Sequence, residues 1–387
     1  MKFRHAKPRR TLDGKKVRAR IVLYGYYRHN LGDDMFFDML FRRYPDVMFY
    51  ILFEPDYAEF FSHYPNVRFY ESTRPLVAKI NALGRKLHKD NFFERLLIRL
   101  CDGAMHIGGS IYQQVGNWQF DFDIRKKRKL FGRKFFAISN NFGPYSTDAY
   151  RDMWAKEFKK WTDICFRDEY SYKLFRDIPT VRYAPDLLFG YPIEQKETEK
   201  KVAVSLIDAF LDGRPFDKST AEAYGNTLTE MIKRFVSDGY RVSLLSFCEF
   251  EQDAVAADRI MSALPEETAK SVKSIVYRQS IGEAVGEIET AEYVIASRFH
   301  AMVLGYIAGK KVLPLCYSKK TSNVLTDLKL SDSPIMLEDI SNFTADELVS
   351  RANAITEERK NELCEMSKQQ FAGFDKFVKK HRGEIRE

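Results

Sequence analysis

Short, nearly continuous apolar runs alternate along this chain with longer segments whose apolar residues recur every three or four positions. Strand-length runs fall at residues 17–24, 47–53, 66–70, 103–107, 135–139, 164–166 and 181–183. Helical spacing occupies 35–43 and 76–100, the latter through Leu76, Ile80, Leu83 and Leu87, then Leu96, Leu97 and Leu100. Strand segments apolar throughout, rather than at every second residue, predict strands covered on both faces, as in a parallel sheet with helical crossovers. At 191–200 the chain turns polar (YPIEQKETEK), which reads as a linker. A second alternation follows, with strands at 202–206, 241–247, 275–277, 293–296 and 311–317 and helices at 221–236, 252–263, 281–289 and 301–308. A charged amphipathic helix is expected over 356–380. The predicted fold is α/β, with two Rossmann-like doubly wound domains, 15–192 and 200–345, facing a cleft, and a C-terminal helical segment, 346–387. Ligands in such sheets bind beyond the carboxyl ends of the strands, where loops meet helix N-termini.

A length of 387 residues fits two to three domains at roughly 150 residues each. No apolar run approaches the roughly 20 residues that a bilayer demands, so no spanning helix is expected. The five cysteines, Cys101, Cys165, Cys248, Cys316 and Cys364, are odd in number and widely spaced, and the seven histidines include no HExxH. Neither a disulfide framework nor a zinc site is indicated. The basic N-terminal stretch lacks an apolar core behind it, so it does not read as a secretory signal, and a cytoplasmic location is expected. The net charge of +8 favours an anionic partner (phosphate compound, acidic glycan, lipid surface or nucleic acid) without choosing among them.

Candidate chemistry gathers at the strand ends. SRFH, residues 297–300, follows a buried strand and opens a helix. Ser297 is placed to cap that helix, and Arg298 and His300 stand two apart at its mouth. Arginine supplies a planar fork for a carboxylate or phosphate, and histidine a proton near neutral pH. Lys319 and Lys320 follow the next strand. The structural alternative is a locally salt-bridged Arg298 and a satisfied buried His300. HNLGDD, residues 29–34, follows the first strand. Gly32 permits close backbone approach, Asn30 and Asp33 suit a polar ligand, and Asp33 or Asp34 suits a helix cap. HIGGS, residues 106–110, places Gly108, Gly109 and Ser110 at another strand end, read either as room for a ligand or as a tight turn. NNFGP (140–144) offers Asn141 and Gly143. FRDEYS (166–171) offers Arg167, an anion candidate, with Asp168 as its holder or as a helix cap. Asp186 of APDLLF is expected to cap a turn. The run RKKRKLFGRK, 125–134, reads as a solvated helix face or a contact for anionic lipid; its lack of aromatic interleaving argues against single-stranded nucleic acid.

Taken in order, HNLGDD, HIGGS, NFGP, FRDEYS, APDLLF, SRFHAMVLGYIAGKKVLPLCY and YSKK resemble the polysaccharide pyruvyl transferase family, SRFH with its helix and following strand being the most specific segment. Two positions depart from the family pattern: Ser110 takes the place of a third glycine, and Ser318 stands where Asp is typical. The resemblance implies a GT-B-like architecture whose C-terminal helix returns to the first domain, and pyruvyl transfer from phosphoenolpyruvate to two hydroxyls of a sugar, giving a ketal. It implies no cofactor and no metal. The acceptor would be a sugar or lipid-linked oligosaccharide of the cell envelope, handled at the inner face of the membrane, with no nucleic acid involved. Under this reading His300, Arg298 and Asp33 are catalytic. Arg167, Ser297, Phe299, Lys320, Asn30, Gly32, Gly108, Gly109, Ser110, Asn141 and Gly143 bind substrates. A GT-B glycosyltransferase using a nucleotide-sugar donor is the alternative, with Glu283 or Glu287 available to hold a ribose.

Overall fold

The computed structural model describes residues 10–53, 55–87, 91–128, 133–214, 216–330 and 334–382. The chain forms two compact units. One comprises the residues up to Tyr27, Phe36–Asp186 and everything from Lys368 onward; the other comprises Arg28–Met35 and Leu187–Ser367.

The first unit carries seven strands: β1 (Ala19–Tyr24), β2 (Val47–Phe53), β3 (Val67–Glu71), β4 (Gly103–Ile107), β5 (Lys134–Asn140), β6 (Asp163–Phe166) and β7 (Val181–Tyr183). Their order is β3-β2-β1-β4-β5-β6-β7, and every pairing is parallel. The strands β1, β4 and β6 are buried at every residue, which is why they read as nearly continuous apolar runs, broken only by Arg20, His106 and Asp163. Aromatic residues fill one face: Tyr112 meets Trp154 edge-on at 4.8 Å, and Phe158 contacts Trp161 and Phe175 at 5.3 and 5.0 Å between ring centroids. The second unit has six strands: β8 (Lys201–Ser205), β9 (Arg241–Ser246), β10 (Val272–Val276), β11 (Tyr293–Ala296), β12 (Lys311–Cys316) and β13 (Ile335–Met336). Their order is β10-β9-β8-β11-β12-β13, again parallel. Each sheet reverses its winding once, between β1 and β4 and between β8 and β11. These are the switch points at which α/β sheets hold ligands.

Several expectations change. The helix expected over 76–100 is two helices, Pro75–Lys86 and Phe92–Leu100, the second entered through Asn91 in a left-handed conformation with φ 51°. The helix expected over 356–380 is interrupted by a tighter turn, Lys368–Phe371, between Glu357–Ser367 and Ala372–Arg382. The expected boundaries at 192, 200 and 345 move to Asp186/Leu187 and Ser367/Lys368, so only the part from Lys368 onward belongs with the first unit. The strand expected at 275–277 starts three residues earlier and ends one earlier, as β10. The helices Trp118–Arg128 and Asp148–Phe158 have too mixed a pattern to read as amphipathic periods. Residues 129–132 of the basic run fall outside the described residues. No helix among the described residues is long and apolar enough to cross a membrane.

Gln370 explains why the turn at Lys368–Phe371 is needed. It is fully buried, its amide nitrogen reaches the carbonyls of Ala184 (2.6 Å), Pro185 (3.0 Å) and Phe166 (3.3 Å), and its Oε1 accepts from the Ser139 N–H at 2.9 Å. Beside it, Arg182 pairs with Asp163 and donates to the Gln369 carbonyl at 2.6 Å. Gln370→Ala would strand several buried backbone groups, at about 1–3 kcal/mol for each unsatisfied group after relaxation. The expected loss in a urea-unfolding comparison is therefore about 2–4 kcal/mol; a loss within about 0.5 kcal/mol, typical of an ordinary surface change, would contradict this role.

Candidate functional site

The switch point of the second unit is built on SRFH. Ser297 still follows the sheet: its N–H donates to the Ser205 carbonyl at 3.1 Å and its hydroxyl lies 2.7 Å from that of Tyr224. It therefore sits one residue too early to cap the helix. Arg298 occupies the cap position, with φ −83° and ψ 131°, and no side chain caps the helix Phe299–Ile307. That nine-residue helix is apolar on all sides, and every residue in it is buried except His300. Phe299, expected to touch substrate, is buried and meets the His300 ring edge-on at 5.2 Å.

The guanidinium of Arg298 is held by carboxylates. Its Nε donates to Asp253 at 2.9 Å, one terminal nitrogen donates to the other oxygen of Asp253, and the second donates to Glu251 at 2.7 Å. Three of its five N–H groups are thereby engaged. Glu251 also receives Arg214 at 2.6 Å, and the Arg214 guanidinium lies over the Tyr317 ring at 4.8 Å. Asp253 is fully buried and accepts the backbone N–H groups of Phe247 and Cys248, each at 3.0 Å. The network thus joins the loops that leave β9, β11 and β12. Burial works against the Arg298 cation, yet Asp253 and Glu251 outweigh it and hold its pKa well above the ordinary arginine value. Burial likewise pushes the Glu251 carboxyl up, but Arg298 and Arg214 prevail and hold it below its ordinary value. Local salt-bridging of Arg298, the structural alternative, is therefore what the geometry presents. Nothing in the spacing announced Asp253, which lies 45 positions before its partner.

The loop after β1 completes this site, because Arg28–Met35 belongs to the second unit. The Leu31 N–H donates to the Phe247 carbonyl at 3.0 Å, Asn30 bridges Cys248, and the Tyr277 hydroxyl donates to Asp34 at 2.7 Å. The cap of the helix Leu31–Arg43 is Asn30, whose Oδ1 accepts from Gly32 (3.1 Å) and Asp33 (3.4 Å); Asp33 and Asp34 lie buried inside the first turn instead. Gly32 is required for a reason other than ligand approach. A Cβ there would stand 1.6 Å from Nδ1 of His300. The imidazole occupies the space that any side chain at position 32 would need. His300 therefore sits at the first turns of two helices, Leu31–Arg43 and its own, where the aligned peptide dipoles favour negative charge. Lys319 and Lys320 open the helix Lys319–Asp327 after β12; Lys319 is exposed, and the Lys320 side chain lies outside what is described.

The switch point of the first unit gathers another set of the expected residues. Gly108 and Gly109 have φ 71° and 78°, a left-handed pair that only glycine adopts at low cost. The Ser110 hydroxyl donates to Asn141 Oδ1 at 2.9 Å, and Arg167 donates to the same oxygen at 3.0 Å and to Asp186 at 2.8 Å. Asn140 reaches the Gly108 carbonyl, and Gly143, with φ 97°, donates to the Tyr112 carbonyl at 2.7 Å. Arg167 and Asp186 are both fully buried and pair with each other. Asp168 caps the helix Glu169–Phe175 by accepting from the Ser171 N–H at 2.7 Å.

A model of the family described as polysaccharide pyruvyl transferase matches residues 30–319. Among solved structures, the UDP-GlcNAc 2-epimerase of Neisseria meningitidis bound to UDP-GlcNAc aligns with 92% of this chain and 99% of its own, at 9% identity and a TM-score of 0.57. Anabaena HepE in complex with UDP and glucose aligns with 94% of this chain and all of its own, at 9% identity and a TM-score of 0.55. At such identities the likeness shows the fold, which is GT-B-like.

Removing one partner of a buried ion pair strands the other, at about 3–5 kcal/mol. Asp253→Ala is expected to lower stability by about that amount in a urea-unfolding comparison, because it abandons Arg298 and two backbone N–H groups together. Glu251 gives a pH signature. Its folded pKa is depressed, so its contribution is full above the ordinary value of 4.5 and is lost as the pH falls through the lower folded value. The stability gap between wild type and Glu251→Gln should therefore be constant at neutral pH and close below pH 4.5; a gap independent of pH down to 3 would contradict it.

Proposed function

Because the chain belongs to the polysaccharide pyruvyl transferase family, we propose that it transfers the pyruvyl group of phosphoenolpyruvate to two hydroxyls of a sugar, closing a cyclic ketal. The sugar belongs to a cell-envelope or extracellular glycan precursor, free or lipid-linked. The observation that carries this reading is the seat of His300, the one unburied residue of an otherwise buried helix, lodged against Gly32 where two helices begin.

Phosphoenolpyruvate is an anion with a carboxylate and a phosphate on one carbon. Two helix N-termini and the remaining N–H donors of Arg298 suit it, with Lys320 opening the neighbouring helix. His300 donates its proton to the methylene carbon, which becomes the methyl group of the product. Positive charge develops at the adjacent carbon and is shared with its oxygen. One sugar hydroxyl forms a C–O bond to that carbon and gives up its proton, which restores His300. The C–O bond to phosphate breaks as the second hydroxyl closes the ring, and the second proton leaves on inorganic phosphate. Asp33, in the first turn beside Gly32, is the proposed base that takes this proton from the attacking hydroxyl and passes it to His300. Asn30 acts by fixing that turn, and Ser297 and Phe299 act by fixing the start of the histidine's helix. In the first unit, Arg167 holds Asn141 and Ser110 in place, and Gly108, Gly109 and Gly143 shape the loops that carry them.

The test is phosphate release from phosphoenolpyruvate with sugar acceptors, alongside thermal shifts with phosphoenolpyruvate and with UDP. Wild type should be stabilised by phosphoenolpyruvate and release phosphate only when an acceptor is present. His300→Asn should lose about 10²–10⁴-fold in turnover, the range for removing a general acid, at nearly unchanged melting temperature. Gly32→Ala should lose activity as well, because its methyl group must displace the imidazole. Stabilisation by UDP and not by phosphoenolpyruvate would replace this reading with a nucleotide-sugar glycosyltransferase.

A further inference from the structure

The helix Pro75–Lys86 of the first unit leaves an apolar stripe uncovered. Leu76, Leu83 and Leu87 are 62%, 53% and 52% exposed, while Val77 and Gly84 on the inner side are buried. With Ile80 these leucines stand at i, i+4, i+7 and i+11, a stripe about 60° wide at about 100° per residue. A soluble helix normally turns such a stripe toward the core. Here the inner contact is made by the neighbouring strip, and the leucines stand beside it, facing out.

The charges carried by this helix are of one sign. Lys79 and Lys86, seven residues apart, share the face that flanks the leucines on the solvent side, and Arg85 lies on the far side. The segment PLVAKINALGRK contains no acid, and among the described residues Lys79, Arg85 and Lys86 form no ion pair. All three are exposed. Leucines in a narrow strip with lysines along their edge are what the bilayer interface selects: aliphatic groups enter the acyl boundary while the long cationic side chains reach up to the phosphates. A second copy of the chain is a poor occupant, since a two-fold contact along this face would set Lys79 and Lys86 against their own mates.

We propose that the helix Pro75–Lys86 docks in the headgroup region of an anionic bilayer, with Leu76, Leu83 and Leu87 below the phosphates and Lys79 and Lys86 level with them. This differs from the lipid contact expected at 125–134, and it does not depend on the reaction assigned to the second unit.

The experiment is flotation of the full-length protein with phosphatidylcholine vesicles, with and without phosphatidylglycerol, at low and high salt. Wild type should float with the anionic vesicles only, and less at high salt. Lys79→Gln with Lys86→Gln should weaken partitioning by about 25-fold, at about fivefold for each lysine. Leu83→Gln with Leu87→Gln leaves the charge unchanged and should weaken it by about tenfold or more. Circular dichroism and melting curves establish that both variants are folded, as expected for exposed positions. Failure of wild type to float overturns the proposal. So does flotation of both variants equal to wild type, which would assign the contact to another basic surface. Sedimentation velocity supplies the last arm: a dimer that the leucine variant dissolves, without a vesicle effect, would assign the stripe to a second copy.

Discussion

One buried carboxylate holds both sides of the histidine. Asp253 grips the N–H groups of Phe247 and Cys248, and so fixes the chain where it leaves β9. The carbonyl of Phe247 then accepts Leu31, which places Gly32. The same carboxylate grips Arg298, the residue from which the histidine's helix starts. His300 lies between the two consequences, with its ring against Gly32. The geometry is a closed circuit, so an error at any point displaces the imidazole. A buried ion pair contributes little net stability once desolvation is counted, which makes its value here positional. It sets where a helix begins and so where His300 stands.

This circuit also explains what could and could not be read from the residues. The strands were legible because parallel strands covered on both faces are apolar at nearly every position; β2, β4, β7 and β11 fall where the apolar runs do. The same argument fails at helices with mixed faces such as Trp118–Arg128, and before Asn91, the left-handed residue through which the second helix is entered. At the two switch points, motif positions pointed to His300, Gly32, Asn141 and Arg167 because each sits at a strand end. The long-range partners escaped notice because ion pairs and hydrogen bonds couple residues distant in sequence: Asp253 with Arg298, Tyr277 with Asp34, Gln370 with Ser139. Gly32 shows the subtler failure. The expectation of close approach was right, but the approaching group is the protein's own imidazole.

The two switch points solve different problems with similar residues. In the first unit, Ser110, Asn141, Arg167 and Asp186 form a chain in which the guanidinium is sealed among buried partners. That arrangement orders loops and leaves little to respond to a ligand. In the second unit the guanidinium is equally paired, but it stands at the mouth of an uncapped helix, next to a residue that is not buried. Field and imidazole are then separate parts: the helix ends supply the first and His300 the second, while Arg298 keeps them in register.

This division changes what the overall charge means. A surplus of eight positive charges points to an anionic partner, and the natural place to look is the arginines at the strand ends. Those arginines are already matched: Arg167 by Asp186, Arg182 by Asp163, Arg214 by Glu251, and Arg298 by Asp253 and Glu251. The surroundings of these arginines are therefore far closer to neutral than the residue list suggests, as they must be if the desolvated cations are to stay buried. The unmatched charge lies on surfaces such as that of the helix Pro75–Lys86, where water keeps it inexpensive and where it can act at the range of a Debye length. Buried arginines and surface lysines thus follow separate rules, and only the second group carries the long-range attraction that the net charge implies.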